Sequence, residues 1–141
     1  MRRKILAENI NSLPVKPILR AVLVTLYAQM AQRLQGPRKI YVYGSQARGD
    51  WDEDSDLDIL VIIDKEKINL VDRESIFSKV CTIAADVYLD CKEEIPVIMP
   101  VCLSKDIYEL TEVDLENKIT PAFVAFIKKG GVLIYDETED A

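Results

Sequence analysis

The chain has 141 residues, 49% of them hydrophobic and 30% charged, with a formal net charge of −6. This length fits one domain, residues 1–141, with its own core. It has no apolar run of membrane-spanning length, and an acidic chain lacks the Lys and Arg excess that generic nucleic-acid binding requires. There is no histidine, so His-based acid–base catalysis and Ser–His or Cys–His nucleophiles are excluded.

The chain starts with Met1-Arg2-Arg3-Lys4, but no apolar signal core or cleavage site follows, so no signal peptide is expected and the expected location is the cytoplasm. Ile5, Leu6, Ile10 and Leu13 are spaced like a weak helix or packing arm that ends near Pro14. Pro17 suits a helix N-terminus. Ile18, Leu19, Val22, Leu23, Leu26 and Met30 then recur at helical spacing until Gly36-Pro37 stops the run. Ile40-Tyr41-Val42-Tyr43 is β-branched and aromatic and predicts a buried strand that stops at Gly44-Ser45. A second buried strand is predicted from Asp56 to Ile63. Between the two lie Ala47-Arg48-Gly49 and an acidic loop, Asp50 to Ser55, that contains Trp51.

Asp64-Lys65-Glu66-Lys67 reads as a charged turn. A helix is predicted from about Asp72 to Asp90, with Ile76, Val80, Ile83, Ala84 and Val87 on one face. After a polar break at Lys92-Glu93-Glu94, Ile95 to Leu103 predicts a third strand, edge or irregular because of Pro96 and Pro100. Ser104-Lys105-Asp106 suggests a helix N-cap. Pro121 to Lys129 predicts a helix closing on Gly130-Gly131. Val132 to Tyr135 is a last strand, and Asp136 to Ala141 an acidic, frayed tail. Cys81, Cys91 and Cys102 form no Cys-x-x-Cys pattern and read as buried thiols. Tyr88, Phe123 and Phe126 read as core. These elements imply an α+β fold: a small mixed β-sheet with helices packed mainly on one face.

The chemistry lies between the first two strands. Side chains two apart on a strand share a face, so Asp56 and Asp58 point the same way and Leu57 the other. Two carboxylates held that close repel unless a cation sits between them, and Mg²⁺ takes oxygen ligands together with waters and substrate phosphates. Gly44 lets backbone approach closely, and Ser45 offers a hydroxyl and an N–H to phosphate. Alone, Asp-x-Asp is more often a solvated strand end. Trp51 either stacks on a base or binds a partner, or simply packs over its loop.

The ordered run Gly44-Ser45-Gln46-Ala47-Arg48-Gly49, an acidic loop, then Ser55-Asp56-Leu57-Asp58 resembles the signature of the DNA polymerase beta-like nucleotidyltransferases, most closely their minimal nucleotidyltransferase (MNT) branch. The strict motif covers residues 44–58, and the looser order of elements about 18–136. The resemblance implies the nucleotidyltransferase fold and Mg²⁺-dependent transfer of a nucleoside monophosphate, AMP from ATP or another nucleoside triphosphate, to a hydroxyl of a protein or small molecule. Asp56 and Asp58 would hold metal, and Gly44, Ser45 and Arg48 the triphosphate. For Arg48 a salt bridge to Asp52, Glu53 or Asp54 is an equal alternative. The family's third carboxylate is expected on the strand after the long helix, around Val97 to Met99. No acid stands there; the nearest candidates are Glu94 at the strand's entrance, the best of them, and Glu93 or Asp90 just before it. The resemblance also implies a second reading: a catalytically weak binding module, such as an MNT-type antitoxin acting on a HEPN-type (all-helical) partner. A homo-oligomer is compatible with either.

Overall fold

The computed structural model describes residues 4–5, 7–34, 37–63, 73–91, 94–113 and 119–137. In chain order the elements are β1 (Lys4–Ile5), α1 (Ala7–Ser12), α2 (Ile18–Arg33), β2 (Pro37–Tyr43), α3 (Ser45–Arg48), β3 (Leu57–Ile63), α4 (Arg73–Asp90), β4 (Ile98–Leu103), α5 (Pro121–Gly130) and β5 (Val132–Asp136). The strands form one sheet in the order β1-β5-β2-β3-β4. All neighbours are antiparallel except β3 and β4, which are parallel. A parallel pair needs a crossover, and α4 supplies it. The architecture is the expected α+β one with a mixed sheet.

Burial divides the apolar residues between the two faces of the sheet. Leu57, Ile59, Val61 and Ile63 of β3 face α2 and α4, where Leu19, Leu23, Leu26, Val80 and Ile83 pack with them. Leu60 and Ile62 face the other way and pack with Tyr41 and Tyr43 of β2, Ile107, and Val124 and Ile127 of α5. Both faces of β3 are thus covered, which is why its sequence is a continuous apolar run and not an alternating one. Truncating a fully buried residue such as Ile59 to Ala would cost about 2–5 kcal/mol.

The edges of the sheet differ from the sequence expectation in instructive ways. The N-terminal segment is partly a strand: Lys4 and Ile5 pair with Asp136 and Tyr135 of β5. Asp136 is therefore a buried strand residue and not part of a frayed tail. β2 starts at Pro37, three residues before its apolar run. β4 is an edge strand, as Pro100 implies, but spans only Ile98–Leu103. Ser104 to Asp106 leads into a turn at Ile107–Glu109, not a helix. Asp106, 4% exposed, has a different use. Its carboxylate pairs with Lys39 Nζ and accepts from Tyr41 Oη at 3.1 Å, pinning this segment to the sheet. Burial, followed by the Asp106 charge, pushes the Tyr41 phenol well above its ordinary value. The charged turn at 64–67, Lys92, Glu93 and residues 138–141 lie outside the described residues. No described helix is long and apolar enough to cross a membrane.

Candidate functional site

The site forms where β2 ends. Its last residue, Tyr43, lies opposite Asp58 of β3. The chain then turns at Gly44 with φ 77° and ψ −158°, a region open essentially to glycine alone. Glycine is needed there for a second reason: a Cβ on Gly44 would stand 2.5 Å from Asp58 Oδ2. The backbone of the turn therefore lies directly against the carboxylate. α3 is a single turn in which Ala47 N and Arg48 N bond Gly44 O at 3.1 and 3.0 Å. It closes on Gly49, which is left-handed with φ 89°. The first amides of such a turn, those of Ser45 and Gln46, have no carbonyl one turn earlier to accept from them.

Asp56 lies immediately before β3 and is exposed; Asp58 is the second residue of β3 and partly buried. Burial, then the Asp56 charge, raises the Asp58 carboxyl above its ordinary value, and Arg48 opposes that rise. Tyr43, buried beside it, has its phenol pushed up to about 12 by burial and by the Asp58 charge. At neutral pH Tyr43 is therefore a neutral hydroxyl, not a base. The guanidinium of Arg48 lies 5.2 Å over the ring of Phe126 in α5, and its Nε is 3.4 Å from Asp50 Oδ2. The ion-pair partner is thus Asp50. Asp52 and Glu53 are engaged elsewhere: Asp52 Oδ1 accepts from Asp54 N at 2.9 Å and from the Ser55 hydroxyl at 3.2 Å, and Glu53 pairs with Lys16 at 3.5 Å.

The acidic loop is tied down at several points. Trp51 Nε1 donates to Pro14 O at 2.7 Å, so the indole ties the acidic loop to the segment before α2. Gln46, 1% exposed, accepts from Lys16 N at 3.2 Å and donates to Ser55 O at 3.4 Å. It joins α3 to the segment before α2 and to the approach to Asp56. In the motif Gln46 stands at a variable position; its only sequence signal is an amide side chain inside a run of small residues.

Glu94 does not join the pair. Among the described residues, no three acidic, His or Cys side chains gather as a metal-holding group. Glu94 is exposed in the turn after α4, its N bonded to Cys91 O at 3.1 Å, four positions before β4 begins. The β4 residue in register with Asp58 is Met99. On a parallel neighbour the register partner shares the face, so the place beside Asp58 is held by a thioether, 48% exposed. Cys81, Cys91 and Cys102 are partly buried and free. The Cys102 thiol is pushed up to about 11, chiefly by burial, which makes it unreactive.

The charged donors at the strand end are oxygens: two carboxylates on one face with glycine backbone against one of them. They suit a hard divalent cation such as Mg²⁺. Asp50, Asp52, Glu53, Asp54, Asp56 and Asp58 crowd nine consecutive positions, and such a rim repels a bare triphosphate. A nucleotide would enter with its charge already covered by metal.

Comparison with known proteins adds to this geometry. No functionally curated protein matches the chain. The fold is similar to that of a candidate nucleotidyltransferase from Sulfolobus solfataricus, at 17% identity over 94% of this chain and 87% of the other, with a TM-score of 0.46. It is also similar to a toxin–antitoxin crystallised with AMP-PNP, at 14% identity over 84% of this chain and 73% of the other, with a TM-score of 0.47. The family model of the nucleotidyltransferase domain matches residues 25–133. That stretch holds the Gly44 turn, both carboxylates and most of the sheet, and by this match the chain belongs to the nucleotidyltransferase domain family.

Proposed function

We propose that the protein transfers a nucleoside monophosphate, AMP from ATP, to a hydroxyl of a protein or small molecule. The observation that carries this reading is the contact between the Gly44 turn and Asp58: backbone shaped to approach phosphate presses on a carboxylate whose ionised form is held at a cost. Asp56 and Asp58 are the residues to hold Mg²⁺. When bound, the ion neutralises charge on the attacking and leaving oxygens and lowers the pKa of the attacking hydroxyl. The Gly44 turn brings the Ser45 hydroxyl and the first amides of α3 to the triphosphate. Arg48 supplies a planar, permanently charged fork toward it. Tyr43 stays protonated and closes the apolar side of the site, which limits water around Asp58.

The test is calorimetric titration of ATP with Mg²⁺ and then with EDTA, repeated on Asp58→Asn, followed by a search for acceptors with α-labelled ATP. Metal-dependent binding that the variant loses supports the reading. Binding indifferent to both EDTA and the substitution removes it.

Met99 favours a second reading. With a thioether in register with Asp58, no third acid gathers there among the described residues to accept the hydroxyl's proton. In that reading the chain is a binding module, in the manner of an MNT-type antitoxin, and neutralises a HEPN-type partner by association. Neutralisation that survives Asp56→Asn and Asp58→Asn would select it.

A further inference from the structure

We infer that Phe126 is a positioning residue: α5 uses its ring to hold the Arg48 guanidinium at the nucleotide site. This rests on the reading that Arg48 serves the triphosphate. The sequence offers Phe126 as core, but the ring is 43% exposed. The core packing of α5 is made by its neighbours Val124 and Ile127, both buried against Tyr41, Leu60 and Ile62. Phe126 instead stands edge-on to Tyr43, ring centroids 6.2 Å apart and planes at 89°. Tyr43 is the cross-strand partner of Asp58. The face of the Phe126 ring lies under the Arg48 guanidinium at 5.2 Å. Asp58, Tyr43, Phe126 and Arg48 thus follow one another around the site in contact order.

A second feature of the same helix agrees. Gly130 lies one turn after Phe126, at i+4 on the same face. Its φ is not positive, so the backbone does not demand glycine there. A Cβ on Gly130 would come 3.4 Å from Arg48 Cγ. The ring supports the guanidinium from one turn of α5, and the arginine's stem runs beside the next turn at ordinary van der Waals distance. Without the ring, the other contact holding the head group is the exposed pair with Asp50, at 3.4 Å. Pairs of that kind constrain little. An arginine used for bidentate phosphate contact needs its plane fixed before the ligand arrives. A flat aromatic face does this without neutralising the charge, as a carboxylate would.

The experiment has two readouts on the full chain. The first needs no ligand: the Nε–Hε resonance of Arg48 in a ¹⁵N-labelled sample. Ring current from Phe126 should displace it in the wild type, and Phe126→Leu, which keeps apolar bulk, should return it to the random-coil position. The second is a double-mutant cycle on MgATP affinity by calorimetry. Phe126→Leu should weaken binding about two- to fivefold, the size of an exposed cation–π contact. Phe126→Trp should restore it. In an Arg48→Gln background Phe126→Leu should change nothing further. An undisplaced wild-type resonance overturns the stack itself. A displaced resonance with equal losses from Phe126→Leu in both backgrounds overturns the positioning role and leaves α5 packing as the cause. If the resonance is displaced but wild type binds no MgATP, the nucleotide reading fails, and the positioning role falls with it.

Discussion

Gly44→Ala is the most informative single perturbation of this site, because two separate costs meet at one atom. The backbone there has φ 77° and ψ −158°, and an L-residue in such a region costs about 1–3 kcal/mol. The added methyl would stand 2.5 Å from Asp58 Oδ2, where real Cβ contacts stay beyond 3.0 Å, so the carboxylate must retreat by about half an ångström or more. Productive metal and phosphate geometry tolerates about that much displacement, and misplacement near 1 Å costs on the order of 100-fold. Thermal unfolding followed by circular dichroism should show a fall of about 4–15 °C without ligand. MgATP affinity measured by calorimetry should drop at least about tenfold. The steric part is separable: in Gly44→Ala/Asp58→Ala the clash is gone and only the backbone cost remains, so part of the lost stability should return. An alanine variant that melts and binds like wild type would refute the contact between this turn and Asp58. One that loses stability yet binds normally would refute the claim that the contact sets the site's geometry.

Three further outcomes follow from the same structure. The Asp58 carboxyl is raised; between its ordinary and raised values the folded state keeps a proton that the unfolded state has lost, so stability falls as pH rises through that window. Metal-free Asp58→Asn should therefore melt above wild type at pH 7, with the gap closing as pH falls toward about 4; a gap independent of pH would sink this assignment, and so would stabilisation of the variant by Mg²⁺ and ATP equal to that of wild type. Met99→Asp places an acid in register with Asp58 at an exposed position; it should tighten Mg²⁺-dependent ATP binding and lower the metal-free melting temperature, and unchanged metal dependence would mean that position 99 does not face the pair. Asp106→Asn removes the charge that holds Lys39 and Tyr41; discounted for the partial exposure of Lys39, the cost should be about 2–3 kcal/mol in urea unfolding at constant m-value, whereas a change below about 0.5 kcal/mol would show that the network is not under tension from burial.

Much of this was legible because the signals were local. The i, i+3, i+4 spacing of Leu19, Val22, Leu23, Leu26 and Met30 marks the buried face of α2. The doubly covered β3 reads directly as an apolar run, and Pro100 marks β4 as an edge. What was not legible depends on contacts distant in sequence. A two-residue strand at Lys4–Ile5 has no pattern of its own; it exists because β5 offers an edge. Asp106 looks like a cap because Asp favours caps, but a lysine and a tyrosine 67 and 65 residues away claim its carboxylate. Glu94 was the nearest acid along the chain, yet register decides which side chain meets Asp58, and register gives that place to Met99. The role of Phe126 was hidden for the same reason: helical spacing separates faces, but what covers a face depends on where the Gly44 turn places Arg48.

The core and the site are enforced by one alternation. Leu57, Ile59, Val61 and Ile63 must face α2 and α4, so Asp58 must face the other way, toward Tyr43 and α5. A slip of β3 by one residue would exchange the two sets, because the strand period is two. It would drive Asp58 among Leu23, Val80 and Ile83 and bring Ile59 to the strand end. Burying an unpaired carboxylate there costs several kcal/mol, and the hydrophobic stabilisation of Ile59 would be forfeited as well. Pairing of Tyr43 with Asp58 then makes Gly44 the first residue after β2, and the turn forms against that carboxylate. The position of the two acids is thus a consequence of hydrophobic packing on the opposite face of the sheet. Substitutions at Ile59 or Val61 that loosen register should therefore disturb metal-dependent binding, although neither residue faces the site.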